Sequence, residues 1–465
     1  MAAPSSDLKL LKRLIWLYLI LLLMEGALRK WVLPSLATPL LIARDPVVIV
    51  IYMVAMARGR FVINAFVAGN FILALAAFCA SLLSPDTNLL VTLIGLRCYF
   101  LHLPLIFVMA RTLEAEDLWK MGKFLLWFAI PETALCVLQF SSPQGHWSNL
   151  SVGGQVTMGM TGALDKFRPS GTFSFTTGVA EFYPMALAML LGFLLTRHKL
   201  PLYLTVAAAV SIAVAIPVSI SRTNAVTCAL VLLAGGASLF ALPSPPRAIV
   251  RMVLFLGVVA LIVSQTPHFD EGVEAFGARW EGATGTTVEG FKANIISRFF
   301  SDLIPPIGLF FDIPLPGVGV GSGTTMAQAY LTGDRNFPFG EAEWSRLIIE
   351  LGPILGLAFI TLRVALCVRL VRMAWTALGR ENIWPALLSV EAFFLVLNAQ
   401  WGQATVLGFA TFASGLAFAA VHMKPVEARA DRRRRPPKRP QWKERLYEPE
   451  PAPADARFNP RLPLP

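Results

Sequence analysis

The chain has 465 residues, 55% of them apolar and 15% charged, with a formal net charge of +11 and a mean hydropathy of +0.62. That leaves too little polar surface to coat a water-soluble globule, so lipid is the expected solvent for most of its exterior. Barely charged segments follow one another with short polar breaks, which favours helices over the weakly alternating strands of an outer-membrane barrel.

Taken in chain order, apolar runs near the roughly 20 residues that cross a hydrocarbon core fall at 13–31, 39–57, 61–83, 88–110, 121–140, 174–195, 200–220, 223–241, 249–265, 346–368, 383–399 and 403–422. The expected fold is therefore an all-α polytopic membrane protein of about twelve transmembrane helices. The first run reads as a span rather than a cleavable signal peptide. Lys9, Lys12 and Arg13 precede it, but Glu25, Arg29 and Lys30 interrupt its end and the next span follows at once.

Charge tests this map independently. Arg58 and Arg60, then Arg111, Lys120 and Lys123, then Arg197 and Lys199, then Arg247 and Arg251, then Arg369, Arg372 and Arg380 fall in alternate loops. Those loops share a side with the basic N-terminus and the four arginines at 432–435, as cytoplasmic segments should. Both termini are thus expected in the cytoplasm. The five cysteines all fall within spans, so no exported disulfide framework is implied.

The opposite side carries a medium loop at 141–173 and a large one at 266–345, too long for a plain linker. The expected organisation is an N-terminal transmembrane bundle at 1–265, an exported loop with short helices at 266–345, C-terminal transmembrane helices at 346–423 and a disordered basic tail at 424–465. Within the loop, 286–301 has Phe291, Ile295 and Phe299 on one helical stripe, suited to lying on the membrane or the bundle. The tail's arginine cluster suits anionic lipid headgroups. No folded reading module accompanies it, so nucleic acid is not an expected partner.

The chemical signals are cations on the side where the positive-inside rule should deplete them. They are Arg29, Lys30, Arg44, Lys166, Arg168, Arg222, Arg279, Lys292, Arg298, Arg335 and Arg346. Snorkelling explains any one of them. Together they suggest a basic cavity for an anionic ligand, because the arginine fork holds phosphate oxygens bidentately. Arg168, Pro169, Ser170, Gly171, Thr172 and Phe173 put a cation and pliable backbone just before a span, where helix N-terminal amides also attract anions. Ser221, Arg222, Thr223 and Asn224 repeat the theme, although an ordinary N-cap explains either start.

At the end of the large loop, Glu341 and Glu343 precede Arg346 and Glu350. The helical spacing lets Glu343, Arg346 and Glu350 share one face, either as an ion-paired surface or as a carboxylate poised to accept a proton beside a phosphate-steadying arginine. Upstream, Gly317, Gly319, Gly321 and Gly323 permit tight bends or a ligand-shaping loop; no βαβ unit or phosphate-loop lysine accompanies them. His102 and His422 lie in spans, His198 is cytoplasmic, and His146 and His268 lack neighbouring ligands, so neither a metal nor another cofactor is expected.

These residues resemble the bacterial O-antigen ligase and polysaccharide polymerase superfamily, which includes the Wzy-type polymerases. The resemblance covers roughly 13–422. It rests on 168–173, 221–224, the glycine-rich 317–323 and 341–352, and on Glu25, Gly26, Ala27, Leu28, Arg29, Lys30 and Trp31, which look like the opening of exopolysaccharide polymerases. It implies a GT-C-like helical glycosyltransferase of the bacterial inner membrane, with its large loop periplasmic. The substrate class implied is an undecaprenyl-diphosphate-linked glycan. A glycan hydroxyl would attack the anomeric carbon and the diphosphate lipid would leave. Chain-length regulators and polysaccharide export proteins are the implied partners. Arg168 and Arg222 match the family's cationic positions, and Glu343 followed by Glu341 are the acid/base candidates. Arg279, Arg298, Arg346, Gly319 and Gly321 are the further substrate-binding candidates. O-antigen ligases usually carry a histidine in this region, whereas 339–344 has none, which favours a polymerase over a ligase. The non-enzymatic alternative is a transporter of a lipid-linked glycan or anionic polysaccharide. The lack of an evident inverted repeat weighs against it.

Overall fold

A computed structural model describes residues 6–84, 88–156, 162–196, 200–241, 261–265, 267–284, 312–324 and 342–423, with residues 257, 259, 308, 327 and 330. The described elements are α1 (Ser6–Ala27), α2 (Arg44–Ala57), α3 (Ala65–Leu82), α4 (Leu89–Leu96), α5 (Leu103–Thr112), α6 (Ala115–Ser141), α7 (Thr176–Leu195), α8 (Leu202–Val218), α9 (Arg222–Leu239), α10 (Pro267–Thr284), α11 (Glu343–Leu378), α12 (Trp384–Leu397) and α13 (Ala404–Ala419), with shorter helical turns between some of them. Among the described residues, eight helical stretches are long and apolar enough to cross a membrane. They are Pro34–Ala57, Ala65–Leu82, Leu89–Thr112, Ala115–Ser141, Thr176–Leu195, Arg222–Leu239, Glu343–Leu378 and Ala404–His422. The expected spans 13–31, 200–220 and 383–399 overlap α1, α8 and α12, while most of 249–265, and all of 286–301 and 424–465, lie outside the described residues.

Local chemistry starts these helices where the sequence changes character. Asn64 Oδ1 accepts from the Val67 N–H at 3.0 Å to open α3. Ser221 Oγ accepts from the Asn224 N–H at 3.3 Å to open α9. Glu114 and Asp117 form a reciprocal capping box at the start of α6. The exterior is apolar: Phe71, Ile72 and Leu75 on α3, Leu233 on α9, and Ile354 and Trp375 on α11 are exposed. The interior instead holds Glu25, Arg29, Lys30, Arg44, Asp45, Glu132, Glu343, Arg346, Glu350 and Arg363. A lipid-solvated bundle sorts this way, with apolar side chains outward and charges inward where protein groups can satisfy them.

The most enclosed spans are Thr176–Leu195 and Ala404–His422. α13 packs against α5, α7 and α12, and α11 lies against α12 and α3. Cross-helix bonds define one end of the bundle. Lys12 on α1 pairs with Asp117 on α6 at 2.7 Å, Arg60 donates to the Arg111 carbonyl at 3.1 Å, and Asn382 donates to the Ala420 carbonyl at 2.9 Å. The candidate chemistry lies toward the other end.

α11 is bent at Gly352, whose φ is 78°, just before Pro353. Proline has no N–H, so the Ile349 carbonyl loses its helical donor. The glycine-rich segment replaces it: Val318 N–H donates to Ile349 O at 3.0 Å and Gly319 N–H to Glu350 O at 3.1 Å. A Cβ at Gly352 would strike the Leu315 carbonyl, and one at Gly317 the Glu350 carbonyl, so this approach needs glycine on both sides.

Candidate functional site

The first cluster joins two stretches far apart in sequence, 25–31 and 168–174. Gly26 lets α1 touch backbone, because a Cβ there would run into Phe173 and Ser174. Lys30 Nζ donates to Ser170 Oγ at 2.9 Å and to Gly171 O at 2.6 Å, while Arg29 Nη1 donates to Ser174 Oγ at 2.9 Å. From α6, Glu132 accepts from the Thr172 N–H at 3.0 Å and Gln139 Oε1 from the Gly171 N–H at 2.7 Å. Gly171 has φ 55°, and a Cβ on it would strike the Glu132 carboxylate. The bend is thereby held by side chains on both flanks. Glu25 accepts from Arg29 at 3.3 Å and from Arg44 at 3.1 Å, and Arg44 also reaches the Ala404 carbonyl.

The second cluster surrounds the first two turns of α11. Glu350 accepts from the Gly321 N–H at 2.7 Å, the Gly323 N–H at 2.9 Å and the Tyr99 hydroxyl at 3.3 Å. The glycine loop is thus wrapped around a protein carboxylate. Glu343 pairs with Arg346 and, at 2.8 Å, with Arg363, and accepts from the Trp401 N–H at 3.2 Å. Arg363 also donates to the Val396 carbonyl at 2.6 Å and the Ala399 carbonyl at 2.8 Å. Its guanidinium lies 4.4 Å from the Trp401 ring centre.

Residues 398–403 link the two clusters. Gly402 lies against Arg346, where a Cβ would sit 3.3 Å from Nη2. Gln403 accepts from the Thr177 hydroxyl at 3.2 Å, and Ala404 accepts from Arg44. α12 has 14 residues, about 21 Å at 1.5 Å per residue, which falls short of a full crossing. Irregular backbone at such depth persists where protein groups satisfy it, and this one is held by Glu343, Arg363 and Trp401 side-chain bonds.

Of the residues singled out in sequence, Glu343 and Arg346 are brought together and buried, at 0% and 1% exposure. Glu343 was expected as an acid/base group; its oxygens instead hold two arginines and an amide, which suits positioning better than taking a proton from a bound hydroxyl. Gly319 and Gly321, expected at the substrate, donate their backbone N–H groups to Glu350, to its carbonyl and its carboxylate respectively. Arg168 and Arg222 are half-buried, and Arg222 opens α9. Gly162 lies over Ile220, two residues before Arg222, and Arg279 on α10 donates to the Gly162 carbonyl at 3.3 Å. The turn leading to Arg168, the start of α9 and α10 therefore meet at one rim. Lys166 there pairs with Glu271 at 2.9 Å. Its ammonium holds the exposed Glu271 carboxyl below the ordinary carboxylate range. Arg298 and Glu341 lie outside the described residues.

Sequence reasoning missed Glu132, Gln139 and Arg363, named Lys30 in the 25–31 stretch and the cation tally without a partner, and treated Arg44 only as a member of that tally. A charge inside an apolar run was the available signal for Glu132 and Arg363. The same signal marks Glu181 on α7 and Glu391 on α12. Among the described residues, Oε2 of Glu181 and both carboxylate oxygens of Glu391 are buried without a hydrogen-bond partner. Compared with known proteins, the chain matches no family model and no curated sequence.

Proposed function

We propose that this membrane-embedded chain is a glycosyltransferase that polymerises undecaprenyl-diphosphate-linked oligosaccharide repeat units at the outer face of a bacterial inner membrane. The observation that carries the reading is the union of its two polymerase-like stretches, 25–31 and 168–173, through Gly26 and Lys30, with Arg29 holding the adjoining Ser174. That union holds the bend after Arg168, and the turn at 162–166 before it meets Arg279 and Ile220, two residues before Arg222. In the reaction, an acceptor sugar hydroxyl forms a bond to the donor's anomeric carbon as the bond from that carbon to the diphosphate oxygen breaks. The rim arginines stabilise the charge gathering on the departing diphosphate. Glu343 orients Arg346, and Glu341 takes the hydroxyl proton.

In this reading about twelve helices cross the membrane, the termini are cytoplasmic and 266–345 is periplasmic. Support comes from the basic loops and from Lys12 meeting Asp117, which puts the starts of α1 and α6 at one end. Cysteines introduced at Ser5, Thr287 and Arg457 should react with an impermeant reagent in spheroplasts only at Thr287; labelling at either terminus overturns the topology.

The decisive experiment reconstitutes the purified protein with a lipid-linked repeat unit and follows elongation. Arg168→Ala and Arg222→Ala should each slow it at matched folded protein. Unchanged turnover in both removes the rim from the reaction. Glu341→Gln should slow single-turnover extension at intact stability, and normal extension would remove it as the proton acceptor.

A second reading, proton-coupled translocation of an anionic glycan, is favoured by Glu181 and Glu391. They lie on packed helices. It predicts glycan flux into proteoliposomes without elongation, abolished by Glu391→Gln; elongation without flux discards it.

A further inference from the structure

At the far end of α11 from Glu343, a cavity of about 510 Å³ opens between that helix and residues 421–423. Arg369, Arg372 and Thr376 line it from α11 and Arg380 from the turn just after it, with Asn382 and His422 opposite. The spacing of Arg369, Arg372 and Thr376, three and four residues, stacks them on one helical face. All three arginines are exposed. Among the described residues none of them has a carboxylate at ion-pair distance, and no acidic residue lines the cavity. The opposite wall is fixed, because Asn382 Nδ2 donates to the Ala420 carbonyl at 2.9 Å and tethers the turn that carries His422.

The adjoining face of α11 is apolar and exposed, with Val368 at 43%, Val371 at 51% and Trp375 at 78%. These residues sit one position before Arg369, Arg372 and Thr376, so the two faces run side by side. Measured from the bend at Gly352, about 20 residues cross a hydrocarbon core of about 30 Å. Arg372 stands 20 residues beyond the bend, about the length of a hydrocarbon crossing, and Trp375 beside it is of the type favoured at headgroup level. A ligand matching both faces has a phosphate for the guanidinium forks and acyl chains for the apolar stripe. Free phosphate uses only the first face.

We propose that this cavity is a binding site for the headgroup of an anionic glycerophospholipid, whose acyl chains lie along Val368, Val371 and Trp375. The site is independent of the glycosyl-transfer reading, since it lies at the other end of the helix and uses none of the rim residues. A basic pocket between membrane helices is suited to such headgroups, each basic side chain strengthening binding about fivefold.

The test uses the full-length protein in phosphatidylcholine nanodiscs, titrated with phosphatidylglycerol and read by native mass spectrometry. Phosphatidylglycerol should be retained over phosphatidylcholine, and the triple variant Arg369→Gln, Arg372→Gln, Arg380→Gln should bind it roughly a hundredfold more weakly. Arg58→Gln with Arg60→Gln, in a different loop, should retain it, and thermal melting should show every variant folded. Trp375→Ala should shorten retention of the lipid while leaving binding of inorganic phosphate unchanged. Equal binding by the triple variant, equal retention of phosphatidylcholine, or displacement of the lipid by millimolar inorganic phosphate overturns the proposal. The last outcome reassigns the cavity to a free anion.

Discussion

Arg346 and Arg363, both on α11, are 1% and 0% exposed and share Glu343. Arg369, Arg372 and Arg380, near its C-terminal end, are exposed and have no ion-paired carboxylate among the described residues. One helix thus uses the same side chain in two ways. Where the guanidinium is buried, a shared carboxylate meets its charge and Arg363 also holds backbone, including the irregular 398–403 linker. Where it faces a cavity, its donors remain for a ligand. The rim arginines fall between these cases, half-buried and beside a segment clasped from both flanks.

The sharpest way to break the buried half of this comparison is Glu343→Gln. It keeps the volume but leaves buried Arg363 without a carboxylate and Arg346 with only Glu350, 3.8 Å away, a loss of about 3–5 kcal/mol. Thermal unfolding in detergent should fall steeply, and a near-normal melting curve would show the lattice is not structural. Next, Arg168→Ala and Arg222→Ala should each cut elongation roughly tenfold to a hundredfold, corresponding to a lost charged hydrogen bond of about 1.5–3 kcal/mol. Their melting curves should barely move; if stability falls in step with the rate, the rim belongs with the buried half.

Smaller still, Gly26→Ala should cost about 1–3 kcal/mol by forcing α1 away from residues 173–174. Limited proteolysis within 162–174 reads it directly, and unchanged cleavage means the two stretches are not held by this contact. The smallest effect is expected from Lys166 and Glu271. Glu271 is held below its ordinary range in the fold. Any stabilisation is therefore present at neutral pH and is lost as pH falls through the lowered folded-state value. As an exposed pair it contributes about 0–1 kcal/mol. A Glu271→Gln melting curve separating from wild type more at acidic than at neutral pH would contradict that sign.

Much of the fold was legible because membrane helices carry their solvent preference in composition. Expected spans at 61–83, 88–110, 174–195 and 403–422 coincide closely with described helices. The site was legible in part. The stretches 25–31, 168–173, 221–224, 317–323 and 341–350 all contain residues that hold something. Their partners were not readable, because Gly321 meets Glu350 and Lys30 meets Gly171 across separations that no helical or strand period encodes. Glu343 and Arg346 do share a face as their spacing requires, yet Arg363, the arginine that completes the set, comes from seventeen residues further along the same bent helix.

By itself, then, the sequence determined a lipid-solvated helical body and which ends of its helices gather charge, because hydropathy and loop charge act locally along the chain. Only the tertiary structure decided which charges are available. Availability depends on whether another segment brings an acceptor within hydrogen-bond reach, and here the bend at Gly352, the glycine loop around Glu350 and the 398–403 linker supply those acceptors to some arginines while leaving others facing open space.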